Sequence, residues 1–177
     1  ENAGPFGFGY YFYNLGSWRV ITLNSEIVGK PGDAGMLAFL KNNLLVNKAE
    51  CTIAYLHHPP FSSGRNVAAW MRGYFDIMDK GGVDIIVAGH EHFYERFAPQ
   101  DFEGKADSKG VRLFIVGTGG AVHHSAGARA PNSEAVLQET FGVLKLELGN
   151  GFFNAQFIDI NYARRDEVSG ACQNPAG

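Results

Sequence analysis

Residues 52–56 (TIAYL) and 83–88 (VDIIVA) are short runs dense in apolar and β-branched residues. Each runs straight into histidines: His57-His58 after the first, Gly89-His90 and then His92 after the second. Runs of this length bounded by turn residues read as buried strands. A chain built on buried strands must cover them with a second layer of helices or of another sheet. All six histidines of the chain fall in three close pairs, the third being His123-His124 after GTGGAV. Imidazole is the commonest protein ligand for transition metals near neutral pH. Open α/β sheets bind ligands beyond the carboxyl ends of their strands. Two histidine clusters at two such ends therefore put a metal site at the edge of a sheet.

The remaining pattern fills in the layers. Residues 17–23 (SWRVITL) read as a strand closed by Asn24-Ser25-Glu26. Asp33 is placed to cap a helix over residues 34–46, with Leu37, Leu40 and Leu44 on one face. Gly32-Asp33-Ala34-Gly35 is read as this helix start and not as a metal motif, because it precedes a helix instead of following a buried strand. Val67, Trp70, Met71, Tyr74, Ile77 and Met78 recur at helical spacing, and Gly81-Gly82 ends that second helix. By this spacing Trp70 and Met71 belong to the core face. Residues 111–116 form a further strand. A Gly-, Ala-, Ser- and His-rich loop then runs to about residue 135. Residues 141–148 and 152–160 flank Gly149-Asn150-Gly151, a strong hairpin signal. The polar tail after Tyr162 reads as loop. The expected fold is mixed α/β with helices on one side of a mixed sheet and a C-terminal β-hairpin, in a single domain over residues 1–177.

Composition excludes several classes. The formal net charge is −3 with no basic run, so no nucleic-acid-binding patch is expected. No apolar stretch approaches the ~20 residues that span a bilayer. The opening residues ENAGPFGFGYYFY lack the basic start and apolar middle of a signal peptide, and run straight into a strand as if continuing a longer chain. Cys51 and Cys172 lack the spacing of a zinc ribbon or a redox pair. A disulfide between them is the expectation, because the tail has little else to dock it, and it would point to an exported protein. The alternative is two unrelated thiols, one buried and one in a tail.

LHHPPF at 56–61 and AGHEHFYERF at 88–97 resemble the last two metal-binding motifs of calcineurin-like metallophosphoesterases, and most of all the purple acid phosphatase branch. WRVITLNSE, CTIAYLHHPPFSSG, GHEHFYERFAPQ and FIVGTGGA are similar, in the same order, to secreted bacterial members. The resemblance covers the chain from about Phe8 to Cys172. It implies part of an αββα sandwich and a dinuclear centre of Fe, Zn or Mn, with His57 and His90 serving one ion and His92 the other. It implies hydrolysis of a phosphate mono- or diester, with metal ions polarising the phosphoryl oxygens and activating a water for in-line attack. It also implies a secreted or periplasmic location. His58, beside a ligand, is the candidate to protonate a leaving alcohol or to hold a phosphate oxygen. Tyr94, Glu95 and Arg96, with Asn24 and Glu26, are expected to orient the histidine loop. His123 and His124 are expected on an exposed loop that could overhang the site.

The family supplies its other ligands from an aspartate motif, a Gly-Asp motif that bridges the metals and a Gly-Asn-His motif, none of which is present in these 177 residues. The chain therefore reads as the C-terminal part of a larger catalytic domain. The absent part would leave apolar sheet surface bare, which favours self-association or a partner supplying the N-terminal half. The alternative to a phosphoesterase is a catalytically silent binding or structural module on the same fold.

Overall fold

The computed structural model describes residues 6–173. The outermost ends of the single-domain expectation, residues 1–5 and 174–177, lie outside the described residues. Ten strands and two α-helices follow in the order β1 (Tyr11–Leu15), β2 (Trp18–Thr22), α1 (Asp33–Lys41), β3 (Cys51–Leu56), α2 (Arg72–Lys80), β4 (Ile85–Ala88), β5 (Tyr94–Phe97), β6 (Arg112–Val116), β7 (Ser133–Leu137), β8 (Gly142–Leu148), β9 (Phe152–Asp159) and β10 (Arg164–Ala171). Seven form one mixed sheet in the order β1-β2-β3-β4-β6-β5-β7, and the last three form an antiparallel sheet, β10-β9-β8. Strands β2, β3, β4 and β6 run parallel, while β1 and β5 are antiparallel to their neighbours. Among the described residues no helix is long and apolar enough to cross a membrane.

The central strands are apolar on both faces because both are covered. Ile21, Ala54, Ile86, Leu113 and Ile115 pack with Met36 and Leu40 of α1 and Tyr74, Phe75 and Met78 of α2. Their neighbours Val20, Ile53, Ile85 and Phe114 point the other way and meet Phe153, Ala155 and Phe157 of β9. The period of two along each strand thus assigns alternate residues to two cores. The result is a helix layer, a seven-stranded sheet and a three-stranded sheet: part of an αββα sandwich, with helices on one face and the C-terminal hairpin on the other. Trp18 is buried and donates its indole N–H to the Gly149 carbonyl at 2.8 Å, which pins the β8–β9 turn to the central sheet.

Several local expectations are corrected. The expected helix is helical to Val46 as read, but its last part, Asn42–Val46, is a π-type turn following α1. Its N-cap is Gly32, at φ 100°, and Asp33 is the first helical residue. The Asp33 carboxylate accepts from the Gly29 N–H at 2.8 Å and from the Tyr74 hydroxyl, which ties α1 to α2. Trp70 does not lie in the core. It sits in a 3₁₀ turn, Ala69–Met71, half exposed, while Met71 is fully buried. Strand β5 was not among the expected elements, β7 begins inside the loop expected to run to about residue 135, and β10 was expected as loop. The β10 tail, RRDEVSGA, forms the outer edge of the small sheet with one face in solvent, so it carries no apolar run to announce it. That small sheet covers one face of the central sheet.

Cys51 at the start of β3 and Cys172 just after β10 form a disulfide, with Cα atoms 5.4 Å apart. Beside it, Asp84 is buried and accepts backbone N–H groups from Thr52 (2.7 Å) and Gln173 (2.5 Å). Burial pushes the Asp84 carboxyl up to about 6, against the pull of these N–H groups. An aspartate is ordinarily near 3.9. A carboxyl whose folded value lies above its unfolded value costs stability once charged. That cost is absent below about 4 and fully present above about 6. Relative to Asp84→Asn, the wild-type protein should therefore gain on the order of 2–3 kcal/mol in unfolding free energy as pH falls from 7 to 4. Urea denaturation of both proteins across that range checks this, and a pH-independent difference rules it out.

Candidate metal centre

Parallel pairing sets the geometry. Leu56 of β3 lies opposite Ala88 of β4, so the residues after each strand emerge side by side. The Gly89 N–H donates to the His57 carbonyl at 3.1 Å. His90 then takes a left-handed backbone, φ 66°, which an L-residue adopts only at some cost. This turn brings His90 Nδ1 to 3.2 Å from His57 Nε2. The His58 ring lies 4.8 Å from that of His57 and 4.3 Å from that of His90, centroid to centroid. One ring nitrogen from each of His57, His58 and His90 lies within 4.8 Å of the others. Burial pushes both His58 and His90 below the ordinary imidazole range, and the neighbouring histidines push the same way. The unprotonated form that ligates a metal is thereby favoured.

His92 is turned elsewhere. The left-handed step at His90 separates the two rings of the HxH, and His92 Nδ1 meets the Val122 carbonyl at 2.7 Å, which leaves Nε2 free. The His124 ring stacks on that of His92 at 3.9 Å, and His124 Nδ1 lies 3.0 Å from a carboxylate oxygen of Glu91. The 122–124 segment therefore does overhang the site. His123 stacks on Phe141 instead. The convergent set is thus His57, His58 and His90, with His92 two residues further along the β4–β5 loop and turned toward Val122.

Glu91 is the residue the sequence reading missed. It is fully buried, and its carboxylate accepts the Asn66 backbone N–H at 2.6 Å. Gly64 makes room for it, since a Cβ at Gly64 would fall 2.2 Å from Glu91 Oε1. Only its position between two histidines hinted at this, because a charged residue in a loop is ordinarily solvated. Trp70 was misplaced for a different reason: its helical spacing is right, but the turn carrying it is 3₁₀. Its ring lies 5.2 Å from that of His58. The two border a cavity of about 350 Å³ together with Ser25, Glu26, Val28 and Lys30.

The loop after His58 is locked from below. Glu95, on β5 and fully buried, accepts from the Ser63 N–H at 2.9 Å, from the Ser62 hydroxyl at 3.3 Å and from the Ser63 hydroxyl. Tyr94 and Arg96 face the other side of β5 and both bond Asp166 of β10 at 2.7 Å, so they brace the motif as expected. Glu95→Ala would leave three buried donors without their acceptor. At about 1–3 kcal/mol for an unmet buried group, partly relieved by water, the variant should lose about 3 kcal/mol of unfolding free energy. A loss under 1 kcal/mol in urea titration would show that the loop holds itself.

The donor set, three imidazoles converging at a sheet edge, fits a transition-metal ion. Comparison with known proteins points the same way. Residues 3–94 match the family model of the calcineurin-like phosphoesterases. The chain is 30% identical over 162 residues to a protein named probable purple acid phosphatase 20 from Arabidopsis thaliana, covering 85% of this chain and 38% of that protein. Among solved structures, the purple acid phosphatase PPD1 from yellow lupin (Lupinus luteus) seeds superposes with a TM-score of 0.78 at 17% identity, over 96% of this chain and 34% of that one. GAP50 of Plasmodium, titled the anchor in the inner membrane complex, gives 0.76 at 15% identity, over 94% of this chain and 54% of that one. The chain thus spans only about a third to a half of the length of these relatives. A match over half its residues, carried by the strands and histidine motifs described above, places this chain in the calcineurin-like phosphoesterase family.

Proposed function

We propose that these 177 residues form part of a metal-dependent phosphoesterase acting on phosphate mono- or diesters. The observation that carries the reading is the convergence of His57 and His90 at adjacent strand ends, in a chain of this family. His57 Nε2 and His90 Nδ1 would hold one ion and His92 Nε2 a second, of Fe, Zn or Mn. Once bound, two such ions supply charge stabilisation at the phosphoryl oxygens and an activated water. The protein's own part is positional. The β3–β4 pairing fixes His57 against His90, the Val122 carbonyl orients His92, and Glu91 holds His124 over it. No side chain here is placed as a nucleophile, so direct attack of water fits better than a phosphoenzyme. The carboxylate that bridges two ions in this family would come from outside these residues. The Cys51–Cys172 bond fits an oxidising compartment, and so a secreted or periplasmic protein.

The test is elemental analysis of the purified protein paired with hydrolysis of a chromogenic phosphate ester. Transition metal bound through His57 and His90 is expected. Metal uptake unaffected by His57→Ala and His90→Ala would overturn the reading.

A further inference from the structure

His58 has two ring nitrogens with different surroundings. Nδ1 lies 2.9 Å from the Ser25 hydroxyl oxygen, which also accepts the His58 backbone N–H at 3.2 Å. Ser25 is buried, so this anchor is fixed. Nε2 has no comparable partner: it lies 3.6 Å from the exposed Glu26 carboxylate, longer than a hydrogen bond. The ring is nonetheless held in place, with its side chain 15% exposed and packed on Trp70 and His90. An imidazole with one nitrogen fixed by a hydroxyl and the other bare, beside two more imidazoles, is the arrangement of a metal ligand. Nitrogens at ~2.0–2.1 Å from a tetrahedral ion lie roughly 3.4 Å apart. The His57–His90 pair is already at 3.2 Å, and one ring nitrogen from each of the three histidines lies within 4.8 Å of the others.

We propose that His58 is a third ligand, with His57 and His90, so that this chain holds one transition-metal ion in a three-imidazole site. The proposal rests on the reading of His57 and His90 as ligands and extends it by a residue. The cavity beside His58, lined also by Glu26 and Trp70, would let a water or the Glu26 carboxylate serve such an ion as a further donor. Imidazole donors select Zn²⁺, Co²⁺ or Cu²⁺ over Mg²⁺ or Ca²⁺. A ligand role also displaces the leaving-group acid expected of His58, since one lone pair cannot serve a cation and a proton together.

Co²⁺ titration of the metal-free 177-residue protein, followed by its visible ligand-field band and by Zn²⁺ competition, tests this. Saturation at one equivalent with a four-coordinate band is expected, and Mg²⁺ should not compete. His58→Phe keeps the ring packing but has no lone pair, and His58→Ala removes the ring. Both should weaken Co²⁺ binding at least tenfold and reduce the band, as His57→Ala and His90→Ala should, while His123→Ala should bind as wild type. Circular dichroism of the metal-free variants establishes that they are folded. If both His58 variants bind as wild type while the His57 and His90 variants do not, the third-ligand assignment fails and the phosphoesterase reading stands. If none of the three positions matters, both fail.

Discussion

Assayed alone on a chromogenic phosphate ester with Zn²⁺, Mn²⁺ or Fe³⁺, the 177-residue chain should hydrolyse about 10³-fold more slowly than the same chain joined to an upstream segment carrying the family's aspartate, Gly-Asp and Gly-Asn-His motifs. The reason is electrostatic. Unit charges 4 Å apart repel by about 4 kcal/mol at an effective dielectric of 20, and two dications by about four times as much. His57, His90 and His92 are neutral when they ligate, so they cannot offset that repulsion, whereas a bridging carboxylate can. One ion without its neighbour forfeits several kcal/mol of transition-state stabilisation, and about 4 kcal/mol is 10³ in rate. In the joined protein His92→Ala should remove most of the rate in turn, because it strips the second ion of its imidazole. Metal-dependent turnover by the unjoined chain equal to that of the joined one would mean that these residues already hold a complete site.

Cys51→Ala, or reduction of the disulfide, should lower the unfolding free energy by about 4–5 kcal/mol. Crosslinking residues 121 apart in sequence restricts the unfolded chain by about that much in the chain-entropy model. Domains of this size are commonly stable by only about 5–15 kcal/mol. The loss should be felt first where the bond acts, between the central sheet and β10, and Gln173 should release Asp84 with it. Denaturant titration with and without reductant measures the difference. Thiol titration of the denatured, unreduced protein should find none, and two reactive thiols would show that the bond does not form in solution.

The sequence made the middle of the molecule legible and left its margins dark. Strands β3, β4 and β6 and the β8–β9 hairpin could be read because burial on the covered faces leaves an apolar signature that survives without context. Strand β5 is hidden inside the histidine motif, because Glu95 and Arg96 make it look like a polar loop. Their charges are met by Ser62, Ser63 and Asp166, residues remote in sequence. Strand β10 is an edge strand whose partner on one side is solvent, so nothing in RRDEVSGA alternates strongly enough to be seen. In the candidate site, the placement of His57 and His90 followed from strand ends alone. The placement of His58 beside them did not, because which way a ring points depends on the Ser25 hydroxyl, 33 residues away. Glu91 was invisible for the same reason, and so was its pairing with His124 across 33 residues, made by a loop whose path no periodicity predicts.

The left-handed backbone at His90 has an evolutionary consequence. Glycine would hold φ 66° without penalty and asparagine with little, while β-branched or bulky residues would resist it. On the proposed reading of His90 as a ligand, selection at position 90 would work against the conformational preference of the chain. Once that selection lapses, drift should carry the position toward glycine or asparagine sooner than toward valine, isoleucine or leucine. On that reading, descendants that no longer bound metal should be recognisable from that single codon, with the rest of the fold unchanged.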